Sequence, residues 1–170
     1  MILTDNQDEL FDVVNERDQV IGKATRREVH ANKSLIHRSI GVLVFNSKNE
    51  LLLQKRSASK DTEPLQWTIS CSGHVPSQDS YEKSAKRELK EELGIQMPFI
   101  FVSKFICKAP FETELCTIYK GVCNGPFIFH PQEIKKGAFN SLSKLKRKIS
   151  TGELKFSFMG KLALQTVGIL

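Results

Sequence analysis

Three glutamates with helical spacing are the residues of this sequence best placed to perform chemistry. Glu88, Glu91 and Glu92 lie three and four positions apart in a segment whose pattern predicts a helix over residues 80–93. On such a helix the three carboxylates share one face and repel each other. Hard divalent cations such as Mg²⁺ prefer oxygen ligands, so a bound metal would relieve the repulsion.

The other faces of the predicted helix indicate where these carboxylates lie. An apolar stripe runs beside them, and lysines occupy the opposite side, which we expect to face water. The stripe consists of Tyr81, Ala85, Leu89 and Leu93, and the lysines are Lys83, Lys86 and Lys90. The glutamates therefore belong at the boundary of the core. The alternative is that they form i,i+4 ion pairs with lysines on a solvated helix.

The surrounding pattern decides between these alternatives. From Gly73 to Ile95 the sequence reads GHVPSQDSYEKSAKRELKEELGI. This resembles the Nudix box, whose pattern is G-x5-E-x7-R-E-U-x-E-E-x-G-U with U aliphatic. Every fixed position matches except one, where Asp79 replaces glutamate. So many fixed positions make the match far more specific than a lone glycine-rich motif.

The resemblance implies roles for the helix carboxylates. Glu88, Glu91 and Glu92 become candidates for metal ligands and for the catalytic base, with a backbone carbonyl next to Gly73 as a further ligand. The implied cofactor is Mg²⁺, with Mn²⁺ as an alternative.

Arg87 is implied as an orienting residue that pairs with the first acidic position of the box, here Asp79. Asp79 followed by Glu82 also fits a helix N-cap with a reciprocal partner three residues on. Both roles for Asp79 stay open.

A second set of residues resembles type I isopentenyl-diphosphate isomerase, an enzyme of the Nudix superfamily. That family has two histidines seven positions apart before the box and a third after the box glycine, which correspond here to His30, His37 and His74. It also has two glutamates either side of one residue on a later strand, matched by Glu112 and Glu114. The resemblance implies a metal site for manganese, zinc or iron made of these five side chains.

Two departures from the isomerase pattern favour hydrolysis. The isomerase has an acid/base cysteine immediately before the box glycine, whereas this sequence has Ser72 there. Cys71 is one residue away, on the opposite face if this segment is a strand. The isomerase also has a C-terminal tryptophan facing its carbocation, but here the sole tryptophan is Trp67, which leaves Phe156 or Phe158 as substitutes.

In the predicted order of elements around these motifs, strands alternate with a few helices without a regular βαβ rhythm. Hairpins are predicted over 11–15 with 20–23 and over 39–45 with 51–54, further strands over 67–72, 99–107 and 115–122, and a helix over 142–149 capped by Ser141. This predicts an α+β fold, and the resemblance implies the Nudix fold, a mixed β-sheet sandwiched between helices.

Composition and length indicate one ordinary globular unit. The chain has 170 residues, of which 40% are hydrophobic and 26% charged, with no repeat or linker. We expect a single Nudix domain over 1–170, with an N-terminal hairpin extension over about 1–38 and the box over 73–95. No leader or membrane-spanning pattern is evident, so a cytoplasmic protein is expected, and a homodimer stays open. The cysteines show no zinc or disulfide spacing, which favours reduced thiols at Cys71, Cys107, Cys116 and Cys123.

The predicted function is metal-dependent hydrolysis of a diphosphate linkage in a nucleoside diphosphate derivative or related small molecule. Glu88, or a glutamate from the pair Glu112 and Glu114, is the expected base, and Lys55 and Arg56 are candidate phosphate contacts. The net charge of +6 is spread along the chain without a binding motif, so nucleic acid is not expected as the main ligand. The alternatives are isopentenyl diphosphate isomerisation, with Ser72 as the acid, and non-catalytic binding of a nucleotide or diphosphate.

Overall fold

The computed structural model of the protein describes residues 6–170. Its strands are β1 Leu10–Val14, β2 Val20–Thr25, β3 Ile36–Phe45, β4 Leu51–Arg56, β5 Trp67–Thr68, β6 Cys71–His74, β7 Ile100–Lys108, β8 Thr113–Val122 and β9 Ile134–Asn140. Its helices are α1 Arg26–Ala31, α2 Tyr81–Leu93, α3 Leu142–Ser150 and α4 Phe158–Thr166.

The strands form one mixed sheet centred on β3. Strand β3 pairs in parallel with β8 along ten residues and antiparallel with β1 and β6, while β8 also pairs with β7. A second group joins β4 to β5 and β9, all antiparallel. Helix α2 covers one face of the sheet, and α3 and α4 cover the other. The predicted α+β architecture is confirmed.

Side chains of β3 alternate between the two sides of the sheet, as the period of a strand requires. Val42 packs in the core that includes Leu89 of α2, and Leu43 packs in the core that includes Leu145 of α3. This alternation fixes α2 against the sheet, so that Glu88 and Glu92 beside its apolar stripe reach β6 rather than open solvent.

The predicted hairpin of β3 and β4 is only partly correct. The two strands pair at Phe45 and Leu51 and then diverge. Ser70 lies between them, where its buried hydroxyl accepts from the Val44 amide (2.8 Å) and donates to the Leu52 carbonyl (2.6 Å). The single strand predicted over 67–72 is wrong, because it is interrupted here and becomes β5 and β6, which pair with different neighbours.

The N-terminal segment contains more than the predicted hairpin. Strand β1 pairs with β2 as expected, and it also joins β3, with Val13 opposite His37. Helix α1, which was not predicted, follows β2 and begins at a capping box formed by Thr25 and Glu28. Strand β9 and helix α4 were not predicted either. Among the described residues, no helix is long and apolar enough to cross a membrane.

Candidate functional site

The box helix is positioned by its caps and by a close approach to β6. Ser80 caps α2 by accepting from the Lys83 amide, and Gly94 ends the helix with a left-handed backbone at φ 67°. Glu88 packs directly against Gly73, where an added Cβ would overlap its carboxylate. The box needs glycine here because this side chain occupies the space that any other residue would fill.

Glu88 and Glu92 are carboxylates of α2 that are largely withdrawn from solvent, and the side chain of Glu88 is 13% exposed. Glu92 is 5% exposed, and its Oε2 accepts from Gln54 Nε2 (3.0 Å) and from the Ser72 amide (3.4 Å). Burial and the neighbouring charge of Glu92 raise the pKa of Glu88 to about 8. Burial and the nearby charge of Glu133 raise the pKa of Glu92 to about 7. A cation between the two would stabilise their ionised forms.

Arg87 lies beside this carboxylate pair and forms ion pairs with glutamates of its own helix. Its guanidinium contacts Oε1 of Glu88 (2.8 Å) and Oε2 of Glu91 (3.0 Å), and it donates to the backbone carbonyl of His74 (3.2 Å). The side chain of Glu91 is 57% exposed, so it lies at the mouth of the site rather than inside it.

Both predicted roles for Asp79 are wrong. The N-cap is Ser80, and Asp79 instead pairs with Lys83 one turn later. Arg87 reaches the glutamates of its own helix rather than the shorter aspartate side chain.

The three predicted histidines converge on one glutamate. The Nε2 atoms of His30, His37 and His74 lie 3.0, 3.3 and 3.3 Å from Oε2 of Glu112. His74 Nε2 also lies 3.6 Å from Oε1 of Glu114. Each histidine comes from a different element, namely α1, β3 and β6. Their donor atoms and that of Glu112 all lie within 4.8 Å of one another, a spacing that suits a metal ion.

The chemistry of this donor set fits a divalent cation. Nε2 of His30 and both ring nitrogens of His37 are buried without a hydrogen bond of good geometry in the described part of the chain, although Nε2 of His30 is close to Glu112. Burial lowers the pKa of His74 to about 4, so its ring is neutral, as metal ligation requires. Buried, unpaired ring nitrogens aimed at a common point are costly unless a ligand satisfies them.

The two strand carboxylates differ in protonation. Burial opposes ionisation of Glu112, but the three histidine Nε2 atoms close to its Oε2 outweigh this effect and hold its pKa below the ordinary value. Burial and the charge of Glu112 raise the pKa of Glu114 to about 8. The pair therefore shares one proton near neutral pH, and a metal ion would displace it.

The helix glutamates open into a cleft of about 370 Å³ together with His74, Glu112 and Glu114, whereas His30 and His37 lie behind its lining. Within the described residues, its lining includes eight glutamates but four arginines or lysines, namely Arg26, Arg56, Lys60 and Arg87. Sequence reasoning missed Arg26 and Lys60. Arg26 precedes His30 by four positions, so recognition of helix α1 from its capping box would have placed both side chains on one face. Lys60 lies in a loop, where no periodic pattern gives a signal.

Some predicted site residues are not brought to the cleft. Lys55 does not line it, because it faces the opposite side of β4 from Gln54 and pairs with Trp67 of β5. Trp67 and Phe156 pack in the core under α3 and α4. Phe158 is 40% exposed and is not part of the lining either. The large apolar side chains that do line the cleft include Phe111 and Met159.

Ser72 and Cys71 have the orientations predicted for adjacent strand residues. Ser72 lines the cleft, whereas Cys71 is fully buried in the core against α2. Burial raises the pKa of the Cys71 thiol well above its ordinary value. Cys71 therefore cannot replace a cleft cysteine without reversing the register of β6.

Comparison with known proteins gives consistent results. A family model described as the NUDIX domain matches residues 35–156. A Photorhabdus laumondii protein named isopentenyl-diphosphate Delta-isomerase 2 is 39% identical over 108 residues, which cover 64% of this chain and 60% of that protein. The match thus spans less than two thirds of that relative's length. An uncharacterized Nudix hydrolase of Yersinia pestis is 35% identical over 131 residues, covering 74% of this chain and 69% of the relative.

A solved structure shares the architecture over nearly the whole chain. The crystal structure of a Deinococcus radiodurans protein superposes with a TM-score of 0.80 at 27% identity, covering 92% of this chain and 98% of that one.

Proposed function

The chain belongs to the Nudix family, in a branch similar to the isopentenyl-diphosphate isomerases, and we propose that it is a metal-dependent hydrolase that cleaves the diphosphate linkage of a nucleoside diphosphate derivative. The observation that carries the proposal is the buried pair Glu88 and Glu92, held at the cleft by Gly73 with raised pKa values. Buried carboxylates of this kind are costly unless a cation neutralises them. Perturbed acids in a cleft are also typical of functional sites.

Glu88, Glu91 and Glu92 would hold Mg²⁺ or Mn²⁺, and His30, His37, His74, Glu112 and Glu114 would form the second metal site. When bound, a divalent cation supplies charge neutralisation for the diphosphate and lowers the pKa of water. The oxygen ligands on α2 suit magnesium, whereas the imidazoles suit manganese, zinc or iron.

The chain's own cations orient the substrate. Arg56 lines the cleft with its guanidinium held by the Thr62 carbonyl (2.9 Å), and Lys60 pairs with Glu133 (2.8 Å). Both side chains carry hydrogen-bond donors and no acceptor atom, and they would bind the non-bridging oxygens of the diphosphate.

Glu88 in its ionised form accepts the proton as water attacks phosphorus. The new bond joins the water oxygen to phosphorus, the bridging P–O bond breaks, and the leaving phosphate takes the electron pair. Glu114 is the alternative base, since it lies in the same cleft.

Ser72 supports hydrolysis over isomerisation. Moving a proton at an alkene carbon needs a group that ionises readily, and a serine hydroxyl has a far higher pKa than a thiol. Hydrolysis does not require an acid at this position, because Glu88 takes the proton of the attacking water and the phosphate leaves as an anion.

Assay of the purified protein against a panel of nucleoside diphosphate compounds with Mg²⁺ or Mn²⁺ tests the proposal. We expect product release that falls at least about 100-fold in Glu92→Gln, since the substitution removes a charge from the carboxylate pair. Glu82→Gln is the matched control, because Glu82 is exposed on the same helix and lies outside the cleft. Undiminished release in Glu92→Gln would contradict the role of the helix carboxylates.

Isopentenyl diphosphate isomerisation is the second candidate. The observation that favours it is the assembled cluster of His30, His37, His74 and Glu112, together with the similarity to proteins named as isomerases. Incubation with isopentenyl diphosphate and detection of the dimethylallyl isomer tests it. Isomer formation that survives Ser72→Ala would exclude Ser72 as the acid, and the absence of any isomer would exclude isomerisation.

A further inference from the structure

Two of the clustered histidines have opposite partners on the ring nitrogen that faces away from the cluster. Nη1 of Arg26 donates to Nδ1 of His74 at 2.9 Å. By contrast, Nδ1 of His30 lies 3.7 Å from a carboxylate oxygen of Asp61. A guanidinium carries donors and no acceptor, whereas a carboxylate carries acceptors only. The Nδ1 atom of His74 therefore faces donors, whereas that of His30 faces a carboxylate.

The Arg26 contact determines where His74 carries its proton. Because Nδ1 accepts a hydrogen bond, the proton of the neutral ring must be on Nε2. The Nε2 atom lies 3.3 Å from Oε2 of Glu112, which is the acceptor that this tautomer needs. Arg26 is itself fixed, since it is 6% exposed and donates to both carboxylate oxygens of Asp61 at 3.2 and 3.4 Å.

This tautomer is incompatible with metal ligation through Nε2. A histidine that ligates through Nε2 presents a lone pair there and carries its proton on Nδ1, which then donates to an acceptor. At His30 a carboxylate oxygen of Asp61 lies on the Nδ1 side at 3.7 Å, so an acceptor for such a proton is close by. His74 has no such acceptor, because an Nδ1 proton would point at the N–H groups of Arg26.

We propose that Arg26 is a positioning residue that holds His74 with its proton on Nε2 and keeps it from ligating a metal until the guanidinium moves off the ring. Loading of the histidine cluster then releases Arg26 from His74. Because Arg26 lines the cleft that contains Arg56 and Lys60, the released guanidinium joins the cations that face an anionic ligand. Metal occupancy and anion binding are thereby coupled through one side chain. The last step rests on the proposed function, whereas the tautomer change does not.

Two-bond ¹H–¹⁵N correlation spectra of the imidazole rings in the full chain test the proposal, because they distinguish the two tautomers directly. In chelator-treated wild type we expect the Nε2–H pattern for His74, and after addition of Zn²⁺ alone we expect Nδ1–H with a ligated Nε2. Arg26→Ala should shift metal-free His74 toward Nδ1–H. Arg56→Ala is the control, since Arg56 lines the same cleft and bonds to Thr62, and it should leave the pattern unchanged.

Zn²⁺ titration gives a second measurement. Removing the guanidinium should tighten Zn²⁺ binding by about 10-fold more in Arg26→Ala than in Arg56→Ala, within the range by which groups bonded to ligating histidines change metal affinity. Arg26→Gln, whose amide offers an acceptor that arginine lacks and so permits a proton on Nδ1, replaces the alanine variant if that variant does not fold.

An Nδ1–H pattern in metal-free wild type, or a retained Nε2–H pattern with Zn²⁺ bound, would overturn the proposal. Equal Zn²⁺ affinities in the two arginine variants would overturn it too. None of these readouts depends on turnover, so they remain decisive even if the chain hydrolyses no diphosphate.

Discussion

Replacing Glu88 with glutamine isolates the cost of burying a carboxylate beside Gly73. In the folded protein, burial raises the pKa of Glu88 from 4.5 to about 8. Below pH 4.5 both the folded and unfolded states hold the proton, and the group contributes little. As pH rises from 4.5 to 8 the unfolded state releases the proton while the folded state retains it, so the folded state loses stability.

The expected magnitude follows from this shift. A carboxyl with these two pKa values lowers the free energy of unfolding by about 4 kcal/mol at pH 8 and by less than about 1 kcal/mol at pH 5. Because Glu92 can retain one proton for the pair, replacing Glu88 relieves part of this cost. We expect metal-free Glu88→Gln to be about 2 kcal/mol more stable than wild type at pH 8 and nearly equal to it at pH 5.

Urea unfolding in the presence of a chelator measures this difference. A gain of about 2 kcal/mol corresponds to an increase of roughly 1 M in the urea midpoint at pH 8. Glu91→Gln is the control, since its side chain is 57% exposed and should leave the midpoint nearly unchanged. Saturating Mn²⁺ should reverse the order, because only wild type retains the full carboxylate set. An equal midpoint shift at pH 5 and pH 8 would refute the reasoning, because the cost would then not come from ionisation.

Three further substitutions test the site and the strands that support it. Gly73→Ala should lower hydrolysis at least about 100-fold, because its Cβ overlaps the carboxylate behind it, and retained activity in the assay above would contradict this close packing. Ser70→Ala should lower the free energy of unfolding by about 2 to 3 kcal/mol, since a buried amide and carbonyl lose their shared partner; a smaller loss in urea would mean that the strands close over the gap. Lys60→Ala should raise KM for the diphosphate about 10-fold with a smaller change in kcat. Lys55→Ala is the control, because Lys55 lies outside the cleft, and it should leave both constants unchanged. Equal effects of the two substitutions would show that Lys60 does not bind the diphosphate.

The helix that carries the carboxylates was predictable because its signals are local. Its apolar stripe and terminal glycine lie within fifteen residues, and Gly94 indeed ends it with a left-handed backbone. Strand β9 lacked such a signal. It contains Lys135, Lys136 and Gly137, and the glycine is required because a Cβ there would overlap the ring of Phe129. The requirement comes from a residue outside the strand, so no pattern within the strand reveals it.

The candidate site divides in the same way. The identities of the histidines and glutamates followed from the motifs, and the structure brings the three histidines together at Glu112, which lines the same cleft as the helix glutamates. The contact between Arg26 and His74 joins residues 48 positions apart, and Asp61 approaches both Arg26 and His30 from an irregular loop. Such contacts depend on how α1, β6 and the loop meet, which spacing alone does not specify.

The charge balance of the cleft dictates an order of binding. Eight glutamates face four arginines and lysines among its described lining residues, so the metal-free cleft gains negative charge and repels a diphosphate as Glu88, Glu92 and Glu114 ionise. Each of Arg56, Lys60 and Arg87 already contacts a carbonyl or carboxylate of the chain. A phosphate must therefore compete with these acceptors, unless a bound metal cation draws them away. One divalent cation in the carboxylate set and one in the histidine set would together offset the four negative charges by which the ionised glutamates exceed the arginines and lysines. We therefore expect diphosphate affinity to rise steeply with metal concentration, in either the hydrolytic or the isomerising reaction.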